Sequence, residues 1–252
     1  MVELQIKGNY KSFIKLKISR SKIKTDKVAL IVHGLYADSG NPYSKSKLLG
    51  NKILKENIAN VVYFSSSRDW SIFPSDGDLE KQQEAFKNKT FTQEVDDLLN
   101  SIQVILDQSN KLFGVKKEKL GFYIVANSMG GTVTSMLNTK FNYIDKIVLA
   151  GSGIKYGFSN LPILSTVPKE SEIIKSAEKF TGNVLSLQGS KDEVVLLVSQ
   201  NRLLNAYSNA KTTKKIINGA NHSFSTIDGK NKVLARNLYI NSIINFLCKC
   251  PQ

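Results

Sequence analysis

Leu120-Gly-Phe-Tyr-Ile-Val-Ala-Asn-Ser-Met-Gly-Gly-Thr-Val-Thr-Ser-Met136 holds three kinds of sequence in succession. Phe122 to Ala126 is apolar and partly β-branched, behind Gly121, which suits a strand buried on both faces. Asn127 to Gly131 is polar and glycine-rich, so the chain turns there. From Thr132 onward, Val133, Met136 and Leu137 recur at helical spacing, and a helix to about Lys140 is expected. Ser128 then stands at a sharp corner between strand and helix. Such a corner pushes Oγ out above the sheet and needs small residues two positions either side, here Ala126 and Gly130. The helix start also offers free N–H groups to a developing negative charge, Met129 first among them. An ordinary turn serine is the competing reading of this stretch taken alone.

Ala126-Asn127-Ser128-Met129-Gly130 resembles the Gly-x-Ser-x-Gly elbow of the α/β-hydrolases, with Ala in place of the first Gly. In that family the chain order is Ser, then acid, then His. The chain has two histidines, and only His222 follows the serine. It lies in a glycine-containing loop, Ile217 to Phe224, beyond the last expected strand. The acid belongs in the loop after the preceding strand, where Asp192 is the choice. Glu193 is expected to begin the helix that Val194 continues, and a simple helix cap is the rival role for Asp192. A His-Gly pair, His33-Gly34, ends an early strand, and the resemblance assigns the second oxyanion N–H to Leu35, beside that of Met129. It makes His33 a structural hydrogen-bonder beneath the site. The resemblance spans about Lys27 to Leu247.

A serine hydroxyl attacks well only when a base takes its proton, and the base needs a carboxylate to orient it. The resemblance therefore implies a serine hydrolase with Ser128, Asp192 and His222 as catalytic groups, cleaving carboxylic esters; the limited room for a lid argues against long-chain lipase action and favours short-acyl or aromatic-acid esters. It implies no metal and no organic cofactor. The Trp70–Pro74 loop and the Tyr156–Leu164 segment are placed to supply apolar pocket walls, with Trp70, Phe73, Tyr156 and Phe158 as substrate-binding candidates. Peptidases, thioesterases and acyltransferases share the same fold and triad, and a non-catalytic binder can retain both. Those alternatives stay open.

The rest of the chain agrees with an α/β architecture. Val2–Lys7 and Tyr10–Ser19 read as a hairpin turning at Gly8-Asn9. Strands are expected at Lys27–His33, Asn60–Phe64, Lys146–Ala150, Val184–Gln188 and Lys215–Ile217, alternating with helices at Ser44–Asn57, Thr92–Gln108, Val194–Tyr207 and Asn231–Leu247. Ser65–Lys89 reads as a long loop, and Ile154–Lys179 as the one place for a small flap. The expected fold is an α/β-hydrolase fold in a single domain, 1–252: a mostly parallel sheet of about eight strands, helices on both faces, and a small or absent lid.

With 252 residues, 41% of them hydrophobic, the chain is long enough for one sizeable core. Its formal charge of +14 is concentrated in lysines at Lys7–Lys27, Lys111–Lys119 and Lys211–Lys215. In Phe13-Ile14-Lys15-Leu16-Lys17-Ile18 they alternate with apolar residues, which reads as the wet face of an edge strand. No zinc-finger, RNA-binding or helix-turn-helix signature accompanies the charge, so no nucleic-acid partner is expected; the expected partner is a small-molecule ester. No apolar run nears the ~18 residues of a membrane span. Met1–Lys7 has no basic-then-apolar leader pattern, which favours the cytoplasm. Cys248 and Cys250 are too close in sequence to close a useful loop, and two thiols do not make a metal site.

Overall fold

A computed structural model describes residues 1–36, 44–68, 79–156, 161–226 and 232–249. Eight strands form one sheet: β1 (Val2–Lys7), β2 (Phe13–Ser19), β3 (Lys27–Val32), β4 (Asn60–Ser65), β5 (Gly121–Asn127), β6 (Ile144–Ala150), β7 (Asn183–Gly189) and β8 (Lys211–Ile217). Their order is β1-β2-β4-β3-β5-β6-β7-β8. β1 and β2 are antiparallel additions, and β3 to β8 run parallel. From β3 the chain crosses to β4 on one side and then to β5 on the other. The carboxyl ends of β3 and β5 thus flank the switch point where open α/β sheets bind ligands.

Alternation along the strands divides the core into two layers. Val28, Leu30 and Val32 of β3 face one layer with Phe122, Ile124 and Ala126 of β5; Ala29, Ile31, Tyr123 and Val125 face the other. The first layer is covered by α3 (Phe91–Asp107), α5 (Met129–Ser135), α7 (Glu170–Ala177) and α8 (Leu197–Asn205). The second is covered by α1 (Lys45–Lys55) and α9 (Lys232–Cys248). In α3, Phe91, Val95, Leu98, Ile102 and Ile105 are buried at helical spacing. Thr90 and Gln93 close a capping box at its start.

Several expectations need correction. β2 is not an edge strand: it pairs with β1 on one side and β4 on the other. Its alternation reflects a buried face (Ile14, Leu16, Ile18) and a half-buried one (Lys15, Lys17). The lysine-bearing edge is β8, exposed from Lys211 to Ile216 and longer than the expected Lys215–Ile217. The first hairpin turns through residues 8–12 rather than over two residues, because that loop docks: Asn9 N–H donates to Asp97 Oδ1 at 3.0 Å and Ser12 N–H to Ser67 O at 2.9 Å. The expected Ser65–Lys89 loop contains α2 (Leu79–Phe86), a helix too short and polar to show periodicity, anchored by the fully buried Phe86. A five-residue helix, α4 (Ser109–Phe113), was also not expected. The helix after Ser128 stops at Ser135, and a 3-10 turn over Asn138–Tyr143 follows, where asparagine and threonine favour the backbone less in α form. Glu193 and Val194 precede α8, which begins at Leu197. In the flap segment, α6 (Pro162–Ser165) and α7 pack down through the buried Ile163, Ile173 and Ala177. Among the described residues no helix is long and apolar enough to cross a membrane.

Candidate active site

Ser128 sits between β5 and α5 with φ 51° and ψ −126°, a backbone conformation that L-residues other than glycine seldom adopt. Three contacts over-determine it. Ser128 N–H donates to Ala150 O at 2.9 Å. The Asn127 amide donates to Val32 O at 3.2 Å and accepts from the Tyr239 hydroxyl at 3.1 Å. Gly130 lies so close to β3 that a Cβ there would stand 2.4 Å from His33 O. The small residue of the elbow is therefore a packing requirement, not a matter of turn propensity.

His222 leaves the loop after β8 and reaches back across the sheet end. Its Nε2 is 3.0 Å from Ser128 Oγ, and its Nδ1 is 2.9 Å from Asp192 Oδ2. With a carboxylate at Nδ1, that nitrogen carries the proton, and Nε2 is left to accept from the serine hydroxyl. The imidazole is 23% exposed, while the Asp192 side chain is fully buried. Every acceptor position of Asp192 is engaged. Oδ1 accepts from the N–H groups of Val194 and Val195 at 3.0 and 2.9 Å, and Oδ2 from Gln200 Nε2 at 3.1 Å as well as from His222. Asp192 is not a helix cap: the residue before α8 is Leu196, with no side-chain cap, and one Asp192 oxygen instead pins the turn ahead of it while the other holds the imidazole. Gly151, with φ 59°, passes under this pair; a Cβ there would lie 3.3 Å from His222 Nδ1.

The buried Leu35 and Met129 flank Ser128 at the ends of β3 and β5. Among the described residues neither of their N–H groups has an acceptor. Leu35 is held from behind. The Arg68 guanidinium donates to Leu35 O, and also to Gly34 O at 3.2 Å. Arg68 is itself fully buried and ion-paired through Nε to Glu94 Oε1 at 2.9 Å. Burial would push the Glu94 carboxyl up, but Arg68, Lys89, His33 and the Ser66 hydroxyl together hold it below the usual carboxylate range. His33 belongs to this network: Nδ1 donates to Gly34 O at 2.7 Å, and Nε2 accepts from Ser66 N–H at 3.1 Å. It stands under the loop and takes no part at Ser128 Oγ.

Above Ser128 opens a cavity of about 360 Å³. Leu35, Met129, Leu164 and Val194 supply apolar wall; Tyr36, Tyr156 and Lys45 add polar tips. Tyr156 donates to Ser128 O at 3.4 Å and is hydrogen-bonded to Thr132, and burial raises its phenol well above the ordinary value. It therefore lines the pocket, as expected, and also braces the elbow. Trp70, Phe73 and Phe158 lie outside the described residues. Among the described residues no three His, Cys, Asp or Glu side chains converge as metal ligands.

No protein-family model matches the chain, and no curated protein matches it. Solved structures do, along almost their whole length. An α/β serine hydrolase without lid from Xanthomonas campestris is 15% identical over 99% of this chain and 96% of its own, with a TM-score of 0.62. The chain has the α/β-hydrolase fold. Two further structures with this fold are a dienelactone hydrolase from Anabaena variabilis and Est1E from Butyrivibrio proteoclasticus with ferulic acid bound. The dienelactone hydrolase is 13% identical over 97% of this chain and 96% of its own, TM-score 0.63. Est1E is 15% identical over 96% and 99%, TM-score 0.60.

Within the α/β-hydrolase frame the sequence motifs fall on strand ends at one edge of the sheet, and Ser128, Asp192 and His222 meet there. Sequence reasoning missed Gln200, Tyr239, Arg68 and Lys45. Each comes from a helix or loop remote in sequence and carries no motif. Only the spare hydrogen-bonding capacity of a buried Asp192 and Asn127 hinted that such partners exist.

Proposed function

We propose that this protein is a serine hydrolase acting on carboxylic esters. The observation that carries the reading is the hydrogen-bonded chain Ser128–His222–Asp192, at 3.0 and 2.9 Å, built on a strained elbow beneath an apolar cavity. His222 Nε2 takes the Ser128 proton as Oγ adds to the ester carbonyl, and Asp192 stabilises the resulting imidazolium. The N–H groups of Leu35 and Met129 receive the oxyanion. His222 then hands its proton to the departing alcohol, activates water, and the acyl-enzyme is hydrolysed. The reaction as written uses groups of the chain, 1–252 acting as a single domain, and calls on no cofactor.

The preferred substrates are short-acyl or aromatic-acid esters. A 360 Å³ pocket with Tyr156 and Leu164 on its wall suits a small or flat acyl group better than a long alkyl chain. Ferulic acid, the ligand of the Butyrivibrio neighbour, is such an aromatic acid. The test is labelling by a fluorophosphonate followed by a nitrophenyl ester series. Wild type is labelled and Ser128→Ala is not, with kcat down by at least a thousandfold in a folded protein. Full ester turnover by Ser128→Ala would refute the assignment, and a rise in kcat/KM toward long acyl chains would refute the substrate class.

A further inference from the structure

The cavity wall carries one feature that hydrolysis of a neutral ester does not use. Lys45, the first residue of α1, lines the same cavity as Ser128 and His222. Among the described residues no aspartate or glutamate lines it. The Lys45 ammonium lies 4.7 Å from the centre of the Phe224 ring and 5.3 Å from that of Tyr239. Among the described residues no carboxylate stands within ion-pair reach of it. Asp192, whose charge is felt at Lys45, is already committed to His222, Gln200 and two backbone amides.

Lys45 is half-buried, and a cation partly withdrawn from water without a counter-ion is costly; two aromatic faces offset part of that cost. Burial accordingly pushes the Lys45 pKa down to about 8, with Asp192 opposing the fall and Arg236 adding to it. Among the described residues, His33, Tyr36, Tyr156 and His222 are the other titratable groups of this cavity, and Tyr239 lies beneath the ammonium. A methionine or leucine would fill the same space without the penalty. The N-terminus of α1, capped by Ser44, adds positive potential at the same wall. The described wall is therefore mostly apolar with one positive pole that no ion pair neutralises, a feature that binding a neutral ester does not call for.

We infer that Lys45 is a specificity residue and that the ester cleaved at Ser128 carries a negatively charged group, a carboxylate or an equivalent anion, on its acyl or alcohol part. The anion supplies the ion-pair partner that Lys45 lacks among the described residues. The inference rests on the hydrolase reading above.

The test uses two matched ester pairs that differ in one charge: 4-acetoxybenzoate against methyl 4-acetoxybenzoate, and mono-(4-nitrophenyl) adipate against 4-nitrophenyl hexanoate. The first pair places the anion on the alcohol part, the second on the acyl part. The wild-type ratio of kcat/KM, anionic over neutral, is expected to be tenfold or more in at least one pair. Lys45→Met is expected to lower that ratio at least tenfold, and Lys45→Arg to keep most of it. Thermal melts establish that each variant is folded before its ratio is read. A ratio near one in both pairs, or a high ratio unchanged in Lys45→Met, overturns the role of Lys45 while leaving the hydrolase intact. Absence of both turnover and fluorophosphonate labelling overturns the hydrolase, and this inference with it.

Discussion

Ser128 shows how much one residue can cost and still be kept. Holding a non-glycine residue at φ 51° and ψ −126° costs on the order of 1–3 kcal/mol, and the surrounding contacts from Ala150, Val32 and Tyr239 supply the compensation. The usual ranking of alanine over glycine should therefore invert here. Ser128→Gly is expected to be more stable than Ser128→Ala by about 1 kcal/mol, read from urea midpoints, although glycine ordinarily loses more entropy on folding. A glycine variant less stable than the alanine one would show that the elbow is relaxed. At this scale the sequence was most informative where geometry demands a residue type. Gly130, two residues after Ser128, announces a tight corner because no Cβ fits against His33 O there. Lys45 announced nothing, because its meaning lies in what does not accompany it: a lysine in a sequence rich in lysine is invisible until its surroundings are known.

Among the elements, the loop from β3 to Leu35 depends on a helix on the other side of the sheet edge. Glu94 and Asp97 sit three apart on α3 and anchor Arg68 and Lys89, with ion pairs of 2.9 and 3.3 Å. Through Arg68 this reaches the carbonyls of Gly34 and Leu35, and so sets where the Leu35 N–H points. A lysine in place of Arg68 keeps the charge but loses the planar fork. Arg68→Lys is expected to lower kcat about tenfold with KM within a factor of two, as loss of a contact made only in the transition state does. A rise in KM at constant kcat would mean that Arg68 shapes substrate binding instead. The sequence announced α3 clearly, since Val95, Leu98, Ile102 and Ile105 recur at helical spacing over seventeen residues. It hid α2 and α4, of eight and five residues, since two turns or fewer hold too few apolar positions to establish a period. It also hid the order of the strands: alternation placed β2 in a sheet but not between β1 and β4, because inner and edge strands with one half-wet face read alike.

For the molecule as a whole, the closing element is α9, which with α1 covers one entire face of the sheet through Tyr239, Ile243, Ile244 and Leu247. Its end is fastened by Lys146 of β6, whose ammonium donates to Phe246 O, Leu247 O and Lys249 O at 3.1, 2.8 and 2.6 Å. A lysine at a helix C-terminus satisfies carbonyls that have no partner in the helix and opposes its dipole. A chain ending at Lys249 retains all three acceptors and should melt like the full protein. One ending at Asn245 loses them together with Leu247, and its Tm is expected to fall by about 10 °C or more, as burial of a core leucine and capping each count for a few kcal/mol. Equal melting of the two would show that the fastening is ornamental. The same arrangement has a consequence for biosynthesis. When β7 has been made and α9 has not, α1 is the one helix yet available to this face, and Leu185 and Leu187 lack the cover that α9 will bring. Synthesis of α9, rather than completion of the sheet at β8, is then the event that shields this face from chaperones.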